Sequence, residues 1–151
     1  MIEILKTDSS HSDFQVLVKQ LDAYLAEIDG EEHSFYHQYN KVDALKHVVV
    51  IYENNQPVGC GAFKELDSNT VEIKRMYVLP EQRGKGYATK ILKALENWAA
   101  ESEYQSCKLE TGRRMPDAVA FYQSQGYAPI PNYGQYVGVE NSVCFEKQLS
   151  Q

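Results

Sequence analysis

Three observations predict an α/β chain of the α+β kind, a mixed and mostly antiparallel sheet flanked by helices. Apolar, β-branched runs at 47–52, 58–66 and 71–78 follow one another through turns of a few residues, too short for anything but antiparallel neighbours. An apolar stripe at helical spacing, Ala88, Ile91, Leu92, Leu95, Trp98 and Ala99, then separates the third run from a fourth at 106–111. A strand that returns after a helix lies parallel to the one before it, so the sheet is mixed. The length, 151 residues, suits one domain with a proper core, and residues 1–151 are expected to form it.

The elements follow in order. Ile2 and Ile4 alternate with polar neighbours, a short first strand. Ser10-His11-Ser12-Asp13 has capping-box spacing, with Asp in place of Glu or Gln. Phe14, Leu17, Leu21, Leu25 and Ile28 recur as one helical face, and Gly30 suits the stop. Residues 31–46, with Phe35, Tyr36 and Tyr39, read as a short helix over the core or as a lid on a substrate cleft; packing is the plainer reading. His47 to Tyr52 is a buried strand, Asn54 to Pro57 a turn, and Val58 to Leu66 the returning strand. Gly59 and Gly61 within it suggest close backbone packing rather than a site. After Asp67 to Thr70 comes the third strand of the meander. Beyond the stripe, Pro116, Asp117 and Gly126 bracket a short helix, and 127–130 and 142–149 close the sheet around a Tyr- and Gly-rich loop.

The third strand breaks its own rhythm. Apolar residues fall on odd positions at Val71 and Ile73, then on even positions at Met76 and Val78. Strand side chains alternate faces, so the parity change across Lys74-Arg75 implies one extra residue, a bulge. The strand runs into Arg83-Gly84-Lys85-Gly86, where two cations sit at the start of the next helix, and Glu101 and Glu103 sit at its end. Both placements oppose the helix dipole. An anion bound at the helix start would reconcile them, and Gly84 and Gly86 would let its oxygens approach backbone N–H groups. No stretch fits a Walker loop. A dinucleotide fingerprint finds Gly84 and Gly86 but Thr89 in third place; Glu110, ending the next strand, would mimic its ribose ligand, and the preceding meander argues against it. A solvated basic turn is the bland alternative.

Composition bounds the function. Fifteen basic and 21 acidic residues give a net charge of −6, which weakly disfavours nucleic acid as the main partner; it suits a cationic ligand, but simple solubility is the plainer reading. No apolar run is long enough to span a membrane, and the first residues lack a signal-peptide core, so a cytoplasmic location is expected. Cys60, Cys107 and Cys144 have no metal-ligand spacing and sit in apolar strand contexts, which fits reduced, buried thiols rather than a ping-pong nucleophile. His11, His33, His37 and His47 form no triad or metal set; no metal is expected.

Arg83-Gly-Lys-Gly86-Tyr-Ala88 resembles the Arg/Gln-x-x-Gly-x-Gly/Ala motif of the GNAT superfamily of acetyl-CoA-dependent N-acetyltransferases. Ile73-Lys-Arg-Met-Tyr-Val78 precedes it as in that family. Leu109 to Gly112, Pro116-Asp-Ala118 and Phe121-Tyr122-Gln-Ser-Gln-Gly126-Tyr127 resemble the family's second cofactor segment. The likeness runs from about His47 to the C-terminus and agrees in element order.

The resemblance implies a GNAT-like fold, acetyl-CoA as co-substrate, and direct acetyl transfer to a primary amine in a ternary complex. Backbone groups of Met76, Tyr77 and Val78 would pair with the pantetheine arm, the N–H near Val78 facing the thioester oxygen. Amides across Arg83, Gly84, Lys85, Gly86, Tyr87 and Ala88 would take the pyrophosphate, with Asp117 and Ala118 near the cofactor. Lys85, Lys90 and Lys93 are either solvated or reach its outer phosphate. Tyr122 would be the general acid, and Glu72, six residues before Val78, the general base or a plain strand residue. An alkylamine of pKa about 10.4 is protonated at neutral pH and cannot attack until a carboxylate takes its proton. The developing oxyanion needs an N–H, and the departing thiolate leaves more readily when a phenol protonates it. The acceptor, a small-molecule or peptide amine, would enter beside residues 31–41 and Tyr133 and Tyr136; Glu110 would support that cleft or the surface rather than a ribose. A homodimer is compatible with this reading. A non-catalytic acyl-CoA sensor would keep the turn without needing Glu72 or Tyr122, and a nucleotide-dependent oxidoreductase would use Gly84, Gly86 and Glu110.

Overall fold

The computed structural model describes residues 1–29 and 44–149. Gly30, Phe35, Tyr36 and Tyr39, with the helix or lid expected of them, lie outside those residues. Seven strands hydrogen-bond in the order β1-β2-β3-β4-β5-β7-β6: β1 Ile2–Thr7, β2 His47–Glu53, β3 Gln56–Asp67, β4 Thr70–Val78, β5 Ser106–Gly112, β6 Ala128–Ile130 and β7 Ser142–Gln148. Three α-helices are present among the described residues: α1 Ser12–Asp29, α2 Tyr87–Glu101 and α3 Pro116–Ser124. β4 and β5 are parallel, as the intervening helix requires, and the other registered pairs are antiparallel. The expected mixed, mostly antiparallel sheet with flanking helices is therefore the fold. Contacts cluster into two compact units, Met1–Lys64 with Ile73–Trp98, and Glu65–Glu72 with Ala99–Gln151.

In the first unit, the β2–β3 hairpin turns on Asn54 and Asn55, whose φ values of 50° and 69° are those of a two-residue turn matched to strand twist. Along β3, alternation sends Cys60 and Ala62 to a core with Phe14, Leu17, Val18 and Leu21 of α1. Gly59 and Gly61 face the other way, against Ile91 of α2. The two helices thus cover opposite faces of this part of the sheet. Tyr52 donates to Asp13 Oδ2 at 2.7 Å and ties α1 to β2. Asp13 is engaged there instead of completing a capping box. Ser10 bonds to Asp8, and the helix is capped by His11, whose Nδ1 accepts from the Asp13 N–H at 3.2 Å. Asp8 competes locally for the serine, so the predicted box does not form. Glu96 is only 8 % exposed: it stands four residues from buried Leu92 and shares its side of α2.

In the second unit, β5 lies between the Thr70–Glu72 end of β4 and β7, and short β6 forms the edge. Leu109, Tyr127, Tyr136 and Phe145 are buried there. The expected stop at Gly126 is a Schellman end: Gly126 has φ 92°, its N–H donates to Gln123 O at 3.2 Å, and Tyr127 N–H donates to Tyr122 O at 3.1 Å. The end of α2 uses the same device with Glu103 at φ 73° in the glycine position.

Candidate active site

The irregularity inferred between Lys74 and Arg75 is present as a left-handed residue: Arg75 has φ 59° in the middle of β4. Its carbonyl accepts from Cys60 Sγ at 3.4 Å, and its Nη2 pairs with Asp22 of α1 at 2.9 Å. The kink re-aims the residues after it. Tyr77 joins the α1 core, whereas Met76 lies beside Gly61 on the α2 side. Met76, Tyr77 and Val78 form the last stretch of β4, and Val78 O accepts from Arg83 Nε at 2.9 Å. The Arg83 guanidinium also lies 5.6 Å from the ring centres of Tyr24 and Tyr77. Its side chain thus ties the turn back to the strand.

A one-turn 3₁₀ segment, Pro80–Gln82, lengthens the connection, so α2 begins at Tyr87, later than the charge pattern suggested. Arg83 N–H donates within that segment, to Pro80 O at 3.3 Å. Gly84 and Gly86 follow with φ 82° and 83°, and a Cβ built on either would meet nothing within 4 Å. The Gly86 carbonyl accepts the first helical bond, from Lys90 at 3.1 Å, which makes Gly86 the cap and places the amides of Tyr87 and Ala88 in the first turn of the helix. A left-handed, side-chain-free turn opening on space at a positive helix end fits a pyrophosphate. No acidic side chain lies in the first turn of α2 and no basic one in its last, as expected of a helix whose start is kept for an anion. Lys85 Nζ donates to Gln82 Oε1 at 2.7 Å, and Tyr87 donates to Glu53 Oε1, so both residues are held by the protein itself. Glu53 was not foreseen in that role; nothing local in the sequence marks it.

In the second unit, Tyr122 is 8 % exposed on α3, edge-on to Phe121 and Tyr127, and its hydroxyl has no hydrogen-bond partner among the described residues. Burial alone raises its pKa, keeping the phenol protonated at neutral pH. Asp117 and Ala118 occupy the first turn of α3, where the Ala118 amide donates to Met115 O at 3.1 Å. Glu72 is 2 % exposed, and Tyr133 donates to its Oε2 at 2.7 Å. Tyr136, 2 % exposed, stacks edge-on against Tyr133 at 5.6 Å. Glu110 Oε2 accepts from Ser142 Oγ at 2.7 Å. The loop tyrosines expected near the acceptor thus gather around Glu72, a link the sequence did not disclose. A cleft of about 610 Å³ in this unit is lined by Pro116, Val119, Ile130, Asn132 and Cys144, and includes neither Glu72 nor Tyr122.

All three cysteines are free and buried. Burial pushes the Cys60 thiol up to about 12 and the Cys144 thiol up to about 11, which suits neither as a nucleophile at neutral pH. The described residues contain no group of His, Cys, Asp and Glu able to hold a metal, and no helix among them is long and apolar enough to cross a membrane.

The family model for the acetyltransferase (GNAT) family matches residues 14–127. The chain belongs to that family, and it is an acetyl-CoA-dependent N-acetyltransferase. It is 29 % identical over 137 residues to the IAA acetyltransferase of Azospirillum brasilense, covering 88 % of each chain. A solved Klebsiella pneumoniae structure, assigned to the acyl-CoA N-acyltransferases, superposes with TM-score 0.83 and 28 % identity over 99 % of both chains. The paiA N-acetyltransferase of Thermoplasma acidophilum, solved in complex with coenzyme A, shares the fold at TM-score 0.71 and 19 % identity, over 98 % of this chain and 99 % of that one.

Proposed function

We propose that the protein, acting as one catalytic domain, moves the acetyl group of acetyl-CoA directly onto a primary amine, with Glu72 as general base and Tyr122 as general acid. The thioester supplies an activated acyl group with a thiolate leaving group. The observation that carries the reading is Glu72, a carboxylate 2 % exposed on β4 and held by a tyrosine hydroxyl. A buried carboxylate is costly, and proton abstraction is a use that justifies it. Tyr122 keeps its proton and has a hydroxyl uncommitted among the described residues, as a donor to a departing thiolate requires. The amides from Gly84 to Ala88 bind the pyrophosphate, and those of Met76 to Val78 receive the pantetheine arm. The acceptor amine approaches Glu72 from the loop of Tyr133 and Tyr136. The three free, buried cysteines are compatible with a cytoplasmic location.

The test is thiol release from acetyl-CoA across a panel of amino acids, polyamines, aminoglycosides and peptides. With the best amine, Glu72→Gln and Tyr122→Phe are each expected to lower kcat by about 10²-fold or more while acetyl-CoA affinity stays nearly intact. Wild-type turnover in Glu72→Gln would remove the base from this scheme. Binding of acetyl-CoA with no release for any amine would favour a sensor.

A further inference from the structure

We infer that Tyr133 is a positioning residue for Glu72: its hydroxyl, delivered by a self-braced loop, fixes the rotation of the carboxylate. The inference rests on the reading of Glu72 as general base. Tyr133 comes from the loop between β6 and β7, 61 residues away in sequence, and its hydroxyl meets Oε2 at 2.7 Å. The loop holds its own shape. Asn132 Nδ2 donates to Tyr136 O at 3.0 Å and to Val139 O at 3.1 Å, and Tyr136 N–H donates to Tyr133 O at 2.9 Å. The Tyr133 ring is flanked by Tyr136 at 5.6 Å and by Lys108 Nζ at 5.3 Å from its centre. Ring and loop are therefore fixed without the hydroxyl, and the hydroxyl is left to serve Glu72.

The chemistry of the pair has one direction. Burial, then the negative charge of Glu72, raises the Tyr133 phenol far above its ordinary range, so it donates at every working pH. A hydrogen bond donated to a carboxylate favours the charged, proton-accepting form. The other groups at this place are Lys108 and Glu110 on β5, Tyr136 in the loop and Cys144 on β7: Tyr136 feels both carboxylates, and Cys144 feels both and Lys108. Without the Tyr133 hydroxyl the carboxylate loses the bond that fixes its rotation.

The experiment is the split between kcat and KM in Tyr133→Phe, with the best amine and with acetyl-CoA. Phenylalanine keeps the ring contacts and removes only the hydroxyl. kcat is expected to fall about tenfold, while the KM for acetyl-CoA stays put. Tyr104→Phe is the matched control, because it removes a tyrosine bond of the same 2.7 Å length to Glu65 at an exposed position, and its kcat should not move. If Tyr133→Phe does not fold, Asn132→Ala keeps the hydroxyl and unclamps the loop, and it should lower kcat in the same way. An unchanged kcat in whichever variant folds overturns the proposal. Glu72→Gln separates the two ideas: if it retains the wild-type kcat, the base reading fails. If it abolishes turnover while the folded Tyr133 or Asn132 variant keeps it, only the positioning role fails.

Discussion

Two pairs of glycines, each spaced i and i+2, mean opposite things. Gly59 and Gly61 sit in β3 with ordinary strand backbone, and a Cβ on either would collide. At Gly59 it would come within 2.9 Å of Ile91 Cδ1 and of Tyr77 O; at Gly61, within 2.6 Å of Met76 Sδ and 2.8 Å of Ile91 Cγ2. Gly84 and Gly86 lie in a turn with left-handed φ and would meet nothing. The first pair is glycine because a helix presses on the strand. The second is glycine because of its backbone conformation, with open space where a Cβ would stand. Identical spacing therefore carries no functional meaning until burial and φ are known.

The largest effect separating the pairs is expected from Gly59→Ala. One of the atoms its methyl would meet is a backbone oxygen, which cannot swing aside as a side chain does. The cost should be about 2–3 kcal/mol, or roughly 4–12 °C in Tm for a chain of this size. Variant molecules that fold should bind acetyl-CoA with little change. Calorimetry and a binding titration read both numbers, and a shift of under a degree would mean that α2 does not press on β3 as described.

Gly86→Ala should show the reverse. Its methyl has room, so only the left-handed backbone is penalised, by about 1 kcal/mol and a few degrees of Tm. If this turn takes the pyrophosphate as proposed, the affinity for coenzyme A should fall about tenfold, because the methyl narrows the space beside the amides. Unchanged affinity would mean the turn is only a turn.

The fold was legible because its signals are local and periodic: the β2–β3 hairpin, the stripe of α2 and the Gly126 stop each need only a few neighbouring residues. Even the kink at Arg75 could be read, since one extra residue flips the parity of everything after it. Long-range or competing choices were not legible. Ser10 has capping-box spacing, yet Asp8 takes its hydroxyl and His11 caps the helix. The left-handed turn before α2 was visible through its glycines. The tyrosine on Glu72 was not, because no pattern links a strand to a loop 61 residues on; that pairing exists only once β7 lies between β5 and β6.

Between the tight glycines stands Cys60, which reports on the same packing with the smallest perturbation. Alternation turns it to the α1 side, where it donates to the carbonyl of the left-handed Arg75. Burial raises its thiol from 9.0 to about 12 despite the opposing charge of Arg75. At pH 8 the thiolate fraction is thus on the order of 10⁻⁴, and the native chain should react with a thiol reagent only as fast as it opens. The sign of the stability effect follows from the same shift. The unfolded thiol loses its proton near 9.0 and the folded one near 12, so stabilisation by the protonated form is complete below pH 9 and declines as pH rises toward 12. Cys60→Ala should flatten that alkaline decline slightly, as read by denaturant melts at pH 8, 9 and 10. Both glycine variants should speed thiol labelling at pH 8 in proportion to their lost stability, Gly59→Ala by about 30-fold or more and Gly86→Ala by only about fivefold. Equal acceleration by both would erase the distinction between a glycine required by packing and one required by conformation.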